Sequence, residues 1–555
     1  MADVTGICLF AVCSVVAASG QAATAQSPGL SPDPDAVCAT CHRQIYNEWK
    51  RTPMAHASGA AAEGFIPADF VHAASGVRYR TYLEGDQMWL AYERPNAAPD
   101  RALNGKQLLR YYLGSGRRGR TWIFEREGYW YEIPINWYAK KQLWDMTPNY
   151  LDAREMPFTL PVDPGCLHCH ASNVQESLTD ARNHFSGTPF ARGGISCASC
   201  HGDATRHVSD QGRGSIINPA KLDPVRRDSV CLECHLEGEV VVVRRGRRLN
   251  AFRPGDDLFG EAVYFEDGRK AGPGGRATSQ WESLLESACK RGSGDRLTCT
   301  TCHDPHSSPS ADQRIGFYRA RCLACHSSLA SGHHADNPDC TSCHMPREAT
   351  QDIAHEQVTD HRIQILSKPF ASPVSAEALV PIGGIHPTAR DEGLAWAQLA
   401  VRGDHAAGER AMRLLREAET SDPKQAADAE LHMEVGFLEQ MRGDRERAKA
   451  EYQEALRANP HQETAAGDLA VLDAQEGDYA AALPIWQSVF QHDPGASAAG
   501  IDLAIGQCRS GEKQAAAQTL HRVLLYSPDN NAARKFSLAL AAGTQKCGSQ
   551  PAAGR

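Results

Sequence analysis

One five-residue pattern, Cys-x-x-Cys-His, constrains this chain more than any other feature, because it occurs seven times. The copies begin at Cys38, Cys166, Cys197, Cys231, Cys299, Cys322 and Cys340 and end on His42, His170, His201, His235, His303, His326 and His344. With their second cysteines, Cys41, Cys169, Cys200, Cys234, Cys302, Cys325 and Cys343, they use 14 of the 19 cysteines. The pattern is the attachment signature of c-type haem: two thiols add across the vinyl groups on one porphyrin edge, and the adjacent histidine binds iron as the proximal ligand. A zinc ribbon takes two Cys-x-x-Cys pairs per metal and needs no histidine after each, and a disulfide framework has no use for these histidines. With 23 histidines in 555 residues, seven so placed by chance has a probability on the order of 10⁻¹⁰. The spacing predicts seven covalently attached haems c.

Seven irons take up to seven distal ligands. A second histidine makes a six-coordinate iron suited to electron transfer, and an open sixth position lets a substrate bind. The candidates are His56, His72, His184, His207, His306, His333, His334, His355 and His361, with His168, inside a motif, the weakest. His207 follows His201 by six residues and His306 follows His303 by three. So short a tether cannot pass around a porphyrin edge to the opposite face. If these two bind iron, they bind a neighbouring haem; otherwise they are surface or propionate contacts. Met345, next to His344, is excluded from its own iron for the same reason. His333 and His334 are expected to supply one ligand between them, and His56 competes with Met54 and His72 near the first haem.

Residues 1–25 read as a secretory signal: Ile7 to Ala18 is a short apolar run and Ala23-Thr24-Ala25 a cleavage site, although no Lys or Arg precedes the run. Export to the periplasm is expected, and the motifs' resemblance to those of c-type cytochromes implies haem attachment on the outer side of the cytoplasmic membrane. No other stretch of about 20 apolar residues occurs, so no transmembrane segment is expected after cleavage. The net charge of -9 is modest for 555 residues and gives no reason to expect nucleic-acid binding.

The fold expectation is multidomain. Residues 26–370 form a haem-packed cytochrome region with little regular structure and a small β-rich insert at about 65–160. Within the insert, Gln87–Tyr92 and Thr121–Ile133 read as strands, the second as a hairpin turning near Glu127-Gly128, with aromatic residues that pack rather than bind a ligand. Val240–Val243 reads as a strand followed by the arginine-rich turn Arg244–Arg248, a solvated face or a contact to haem propionates or an acidic partner. After a linker at 371–387, residues 388–545 turn to Ala, Leu, Glu and Arg with a 34-residue period. Gly443, Gly477 and Gly511 keep it, as do Ala448, Ala482 and Ala516, and Pro460, Pro494 and Pro528; Tyr452, Trp486 and Leu520 share one apolar slot. This predicts an all-α solenoid resembling the tetratricopeptide repeat, with an irregular first copy around Ala395–Pro423 and a concave face for a protein partner.

The motif region itself resembles the multihaem cytochromes related to the nitrifier tetrahaem cytochrome. The resemblance rests on Cys38–His42 followed by Tyr46, Trp49 and His56, on Gly194–Gly202 with His207, on Cys299–His306, and on Cys340–Pro346 with His355 and Asp360-His361. It implies electron transfer, with histidines placed like His207 and His306 crossing to neighbouring haems. The chain departs from that group in haem number and in the long gap after the first motif. Relatives that reduce nitrite carry a Cys-x-x-Cys-Lys haem; none occurs here, since Cys289-Lys290 is preceded by Glu286 at the required position. The expectation is therefore an exported seven-haem electron carrier with redox partner proteins and a docking domain. The alternatives are an oxidoreductase acting on a small nitrogen or sulfur compound at one open haem, and a scaffold subunit of a larger redox complex.

Overall fold

The computed structural model describes residues 33–148, 150–178, 181–268, 279–331, 333, 336–347, 359–364, 379–421 and 427–548. The signal-like stretch, His334 and His355 lie outside the described residues.

The β-rich region begins at Ser58. Ala68–Val71, Arg78–Glu84, Gln87–Glu93 and Asn104–Leu109 form a four-stranded antiparallel meander. Strict alternation in Gln87–Glu93 buries Met88, Leu90 and Tyr92 and turns the residues between them outward. A second, seven-stranded sheet holds the hairpin Gly119–Arg126/Tyr129–Glu132. Its two-residue turn is Glu127 (φ 54°) and Gly128 (φ 85°), the left-handed pair that matches the strand twist. Ser58–Ala60 pairs with Tyr111–Leu113, ahead of the span expected from sequence. Ser-Gly-Ala carries no strand propensity, and close approach fixes it: a Cβ on Gly193 would stand 2.6 Å from the Ser58 carbonyl oxygen. The aromatic residues are the core, as expected. Trp122, Phe124, Tyr131 and Phe158 are buried, with Trp122 stacked on Trp144 at 4.8 Å and Phe124 on Phe158 at 4.9 Å.

From 164 to 364 the regular structure is short helices around the motifs and small sheets. Between Cys299 and Arg347 no described residue is buried. Leu379–Pro381, inside the stretch read as linker, is a strand: it completes the sheet Val240–Val243, Ala262–Asp267, Leu379–Pro381.

Among the described residues, the helical repeats form four antiparallel pairs. These are Ala389–Val401 with His405–Ser421, Ala429–Met441 with Arg445–Ala458, Glu463–Gln475 with Tyr479–His492, and Ser497–Arg509 with Lys513–Tyr526; Asn531–Ala541 caps them. The periodic glycines are helix ends in the left-handed conformation, at φ 83°, 90° and 88° for Gly443, Gly477 and Gly511. Asp444 and Asp478 cap the helices that follow, accepting from the amides of Arg447 and Ala481. Ala448, Ala482 and Ala516 are fully buried where helices cross. Two cysteines left over by the motifs, Cys508 and Cys547, form a disulfide that pins the chain after the last helix to the fourth pair.

The solenoid is held at both ends. Arg94 forks onto Asp529 at 2.8 and 2.6 Å, and Asp529 also accepts from the Met156 amide at 2.8 Å. Tyr526 packs within the aromatic core and donates to Glu127. At the other end, Val240, Val242, Val263 and Phe265 share one apolar cluster with the first helix pair. The arginine-rich turn is not a solvated face throughout: Arg244 meets Asp391 at 3.1 Å and Arg245 meets Asp428 at 3.7 Å, so these two tie the sheet to the repeats.

Candidate haem centres

Each motif lies in a short helix or at the end of one, which places the required atoms together. In a helix, residues i and i+3 share a face, so both sulfurs point the same way. The amides of His42, His201, His303 and His326 bond the carbonyls of Cys38, Cys197, Cys299 and Cys322 at 2.8–3.0 Å, which closes that turn. Asp163 caps the helix of the second motif, Pro164–His170, and Asp223 that of the fourth, Pro224–His235.

The motifs are not scattered. The sulfurs of Cys38 and Cys197 and a carboxylate oxygen of Asp35 lie within 4.8 Å of one another. The thiols of Cys169 and Cys234 lie beside each other, as do those of Cys231 and Cys299 and those of Cys322 and Cys340. First and third, second and fourth, fourth and fifth, and sixth and seventh motifs are therefore immediate neighbours. Burial pushes the Cys166 and Cys200 thiols up to about 12 and Glu132 up to about 7. Contact with Cys234, and the His168 charge, hold Cys169 below its ordinary value.

The histidines complete the pattern. The rings of His42 and His207 lie 6.4 Å apart between centroids, those of His201 and His306 5.9 Å, those of His303 and His361 6.3 Å, and those of His344 and His333 6.0 Å. A metal held between two imidazole nitrogens at about 2 Å each separates the ring centroids by about 6 Å. Nδ1 of His201, His207, His344 and His361 sits 2.7–3.0 Å from the carbonyl oxygens of Ile217, Gly214, Gln364 and Thr359. Those bonds occupy Nδ1, orient each ring and leave Nε2 for a metal. Tyr318 does the same for His303 at 3.3 Å. Packed neighbours partly dehydrate His306 and His361 and hold them below the usual imidazole range, toward the neutral form a metal accepts. The donor set and spacing fit haem iron.

Other candidates are engaged elsewhere. His72 is buried in the β-rich region with Nδ1 2.9 Å from the Ser75 hydroxyl and Nε2 2.8 Å from the Leu151 carbonyl, so neither ring nitrogen is left for a metal. His184 stacks on Tyr129 at 4.1 Å, under the hairpin turn. Nε2 of His56 lies 2.8 Å from the Lys50 carbonyl. His168 pairs with Glu233 at 3.3 Å, and that carboxylate raises its pKa. Sequence reasoning missed Tyr318 and the sulfur contacts between motifs; no local signal announces either, since both partners are distant in the chain.

Haem-attachment motifs on short helices, joined to paired helices of fixed period, are consistent with a cytochrome c that carries tetratricopeptide repeats. Comparison with known families agrees. Residues 37–65 and 141–202, which hold the first three motifs, match the family described as cytochrome c554 and c-prime, and residues 473–538 match the tetratricopeptide repeat. The cytochrome match implies covalently bound haem c. No curated protein matches the chain. Among solved structures, a mutant of MamA is 18% identical over 28% of this chain and 86% of its own, with a TM-score of 0.24. A tetratricopeptide repeat protein from Parabacteroides merdae is 18% identical over 27% of this chain and 58% of its own, with a TM-score of 0.25.

Proposed function

We propose that this protein is an exported electron carrier with seven haems c, and that its helical repeats dock a partner protein. The observation that carries the reading is the set of four histidine pairs at 5.9–6.4 Å, each joining a motif histidine to one from outside that motif. His207, beside the third motif, faces His42 of the first. His306, beside the fifth, faces His201 of the third, and His361 faces His303 of the fifth. His333, between the sixth and seventh motifs, faces His344. This is the crossing that the short tethers of His207 and His306 require. Bound haem supplies one-electron chemistry at each iron. The chain's own task is to hold and orient imidazoles and to keep the groups close enough that electrons pass from one to the next. Ring pairs and sulfur contacts together link all seven motifs into one network that branches at the fifth.

Three further features support the reading. The segment Cys299–Arg347 carries three motifs and no buried residue among those described, so its order rests on surface other than its own side chains. The Cys508–Cys547 disulfide suits an oxidising compartment. No helix among the described residues is long and apolar enough to cross a membrane.

The test is haem content by mass and absorbance, with the electron paramagnetic resonance spectrum of the oxidised protein. Seven low-spin haems are expected. A high-spin iron would replace the carrier reading by that of an oxidoreductase with an open coordination site. Fewer than seven covalent haems would break the motif argument itself.

A further inference from the structure

The helical repeats have an inner face whose chemistry changes along the solenoid. In the second pair, Gly436 receives the Tyr452 ring, 2.7 Å from where a Cβ would stand. Ala470 and Ala504 hold the same place in the next two pairs. A side chain two residues earlier points about 200° away around the helix. Glu434, Asp468 and Asp502, each 34 residues apart, therefore lie on the face turned from the partner helix. Phe437, Val471 and Ile505, three residues further on, share that face.

In the first pair the equivalent residues are Leu394 and Ala397, as the shared turns Arg402-Gly403-Asp404 and Arg442-Gly443-Asp444 show. Both are buried in the cluster that contains Val240, Val242 and Phe265, so the chain's own sheet covers the face there. Beyond it the face is open: Ile505 is 37% exposed and Met441, one turn past Phe437, 43%. Among the described residues none of the three carboxylates has an ion-pair partner; Asp468 accepts only from the Tyr452 hydroxyl at 3.3 Å. Burial raises all three, Glu434 to about 7. Partly dehydrated carboxylates in a row beside apolar side chains are complementary to lysine or arginine interspersed with apolar residues.

We propose that the inner face of the second to fourth helix pairs binds a basic, amphipathic segment of a partner protein, continuing the surface that the chain's own sheet covers at the first pair. The inference rests on the reading of the repeats as a docking domain and names the chemistry of what docks. It also says where the partner comes to lie. Thr464, one turn before Asp468 on the same stripe, lines a cavity of about 550 Å³ together with His461 and, from the haem region, Leu178 and Arg182. Arg182 pairs at 3.3 Å with Asp163, the cap of the second motif's helix. A segment on the inner face thus ends beside the second haem motif.

The experiment uses the full haem-loaded chain and two labelled peptides of about 18 residues, one of leucine and lysine in helical amphipathic order, the other with glutamate for lysine. Anisotropy should show binding of the lysine peptide only, weakening as salt rises from about 0.05 to about 0.5 M. Glu434→Gln/Asp468→Asn/Asp502→Asn should weaken it by at least about tenfold. Glu417→Gln/Glu446→Gln/Glu512→Gln, the same charge change on exposed residues off that face, should leave it unchanged. Equal binding of both peptides, no binding of either, or indifference to the inner-face substitutions would overturn the inference. If the inner-face variant does not fold, the two peptides and the salt dependence decide on the unaltered chain. Haem content and spin state are measured on the same sample: low-spin haems without peptide binding sink this inference alone, and high-spin iron with peptide binding sinks only the carrier reading.

Discussion

Both halves of this protein are built by repetition, but they repeat different things. The motif region repeats a chemical unit at irregular spacing, and between Cys299 and Arg347 it buries none of its described residues. From the second pair on, the helical repeats recur every 34 residues and bury the same small and large side chains each time: Ala448, Ala482 and Ala516 against Tyr452, Trp486 and Leu520. A packing repeat needs equal spacing, because each pair must present the same surface to the next. A cofactor repeat needs only local geometry, since each motif closes its own turn and the cofactor supplies the bulk. One region should therefore depend on haem for its order and the other should not.

The largest effect that could break this comparison is loss of haem. Replacing Cys299 and Cys302 by serine is expected to open 299–347 to rapid proteolysis while a fragment spanning 388–545 persists, as mass spectrometry of the digest would show. If the repeats are digested equally fast, the regions are not independent in this sense. Next in size are the repeats' own supports. Tyr452→Ala removes a fully buried ring and should cost about 3–5 kcal/mol, read by denaturant unfolding, with haem absorbance unchanged. Reduction of Cys508–Cys547, which closes 39 residues, should lower the stability of the fourth pair by up to about 4 kcal/mol, visible as an earlier melting step. Arg94→Ala strands the buried Asp529 carboxylate and should cost about 3–5 kcal/mol at the contact between the regions; faster hydrogen exchange in both Tyr526 and the aromatic core would register it.

A change confined to one iron comes lower on the scale. His207→Ala should leave the haem count unaltered and convert one low-spin signal to high-spin, since His42 loses the ring opposite it. A spectrum without that signal would remove His207 from the ligand set. The smallest expected effect is a pH slope. Burial raises Glu434 to about 7 from an ordinary 4.5, so the folded state keeps a proton that the unfolded chain has released. Stability from this group is full below about 4.5, falls as pH rises to about 7 and is level beyond. Glu434→Gln should flatten that slope in thermal unfolding measured across the interval.

What could be read in advance follows the same division. The seven motifs were legible as local units because each sets its two cysteines and its histidine within five residues of chain. The solenoid was legible because its period is written in glycine, alanine and proline. The hairpin at Glu127-Gly128 was legible as a turn between aromatic runs, whereas Ser58–Ala60 was not, because only its neighbours make it a strand. Of the distal histidine candidates, the sequence set limits on His207 and His306 through their tether lengths, but it had no means to separate His361 and His333 from His72 and His184. His72 differs only in that Ser75 and Leu151 meet it on both sides in the folded chain.

The sequence by itself determined the local chemistry and the two kinds of repetition, because covalent attachment and helical packing act over one turn or one period. Tertiary structure decided which histidine faces which motif, that Cys508 joins Cys547, and that Arg244 and Arg245 turn onto Asp391 and Asp428. Those pairings join residues far apart in the chain, and the energy that selects them comes from burial and charge compensation in the assembled molecule, which no spacing within the sequence records.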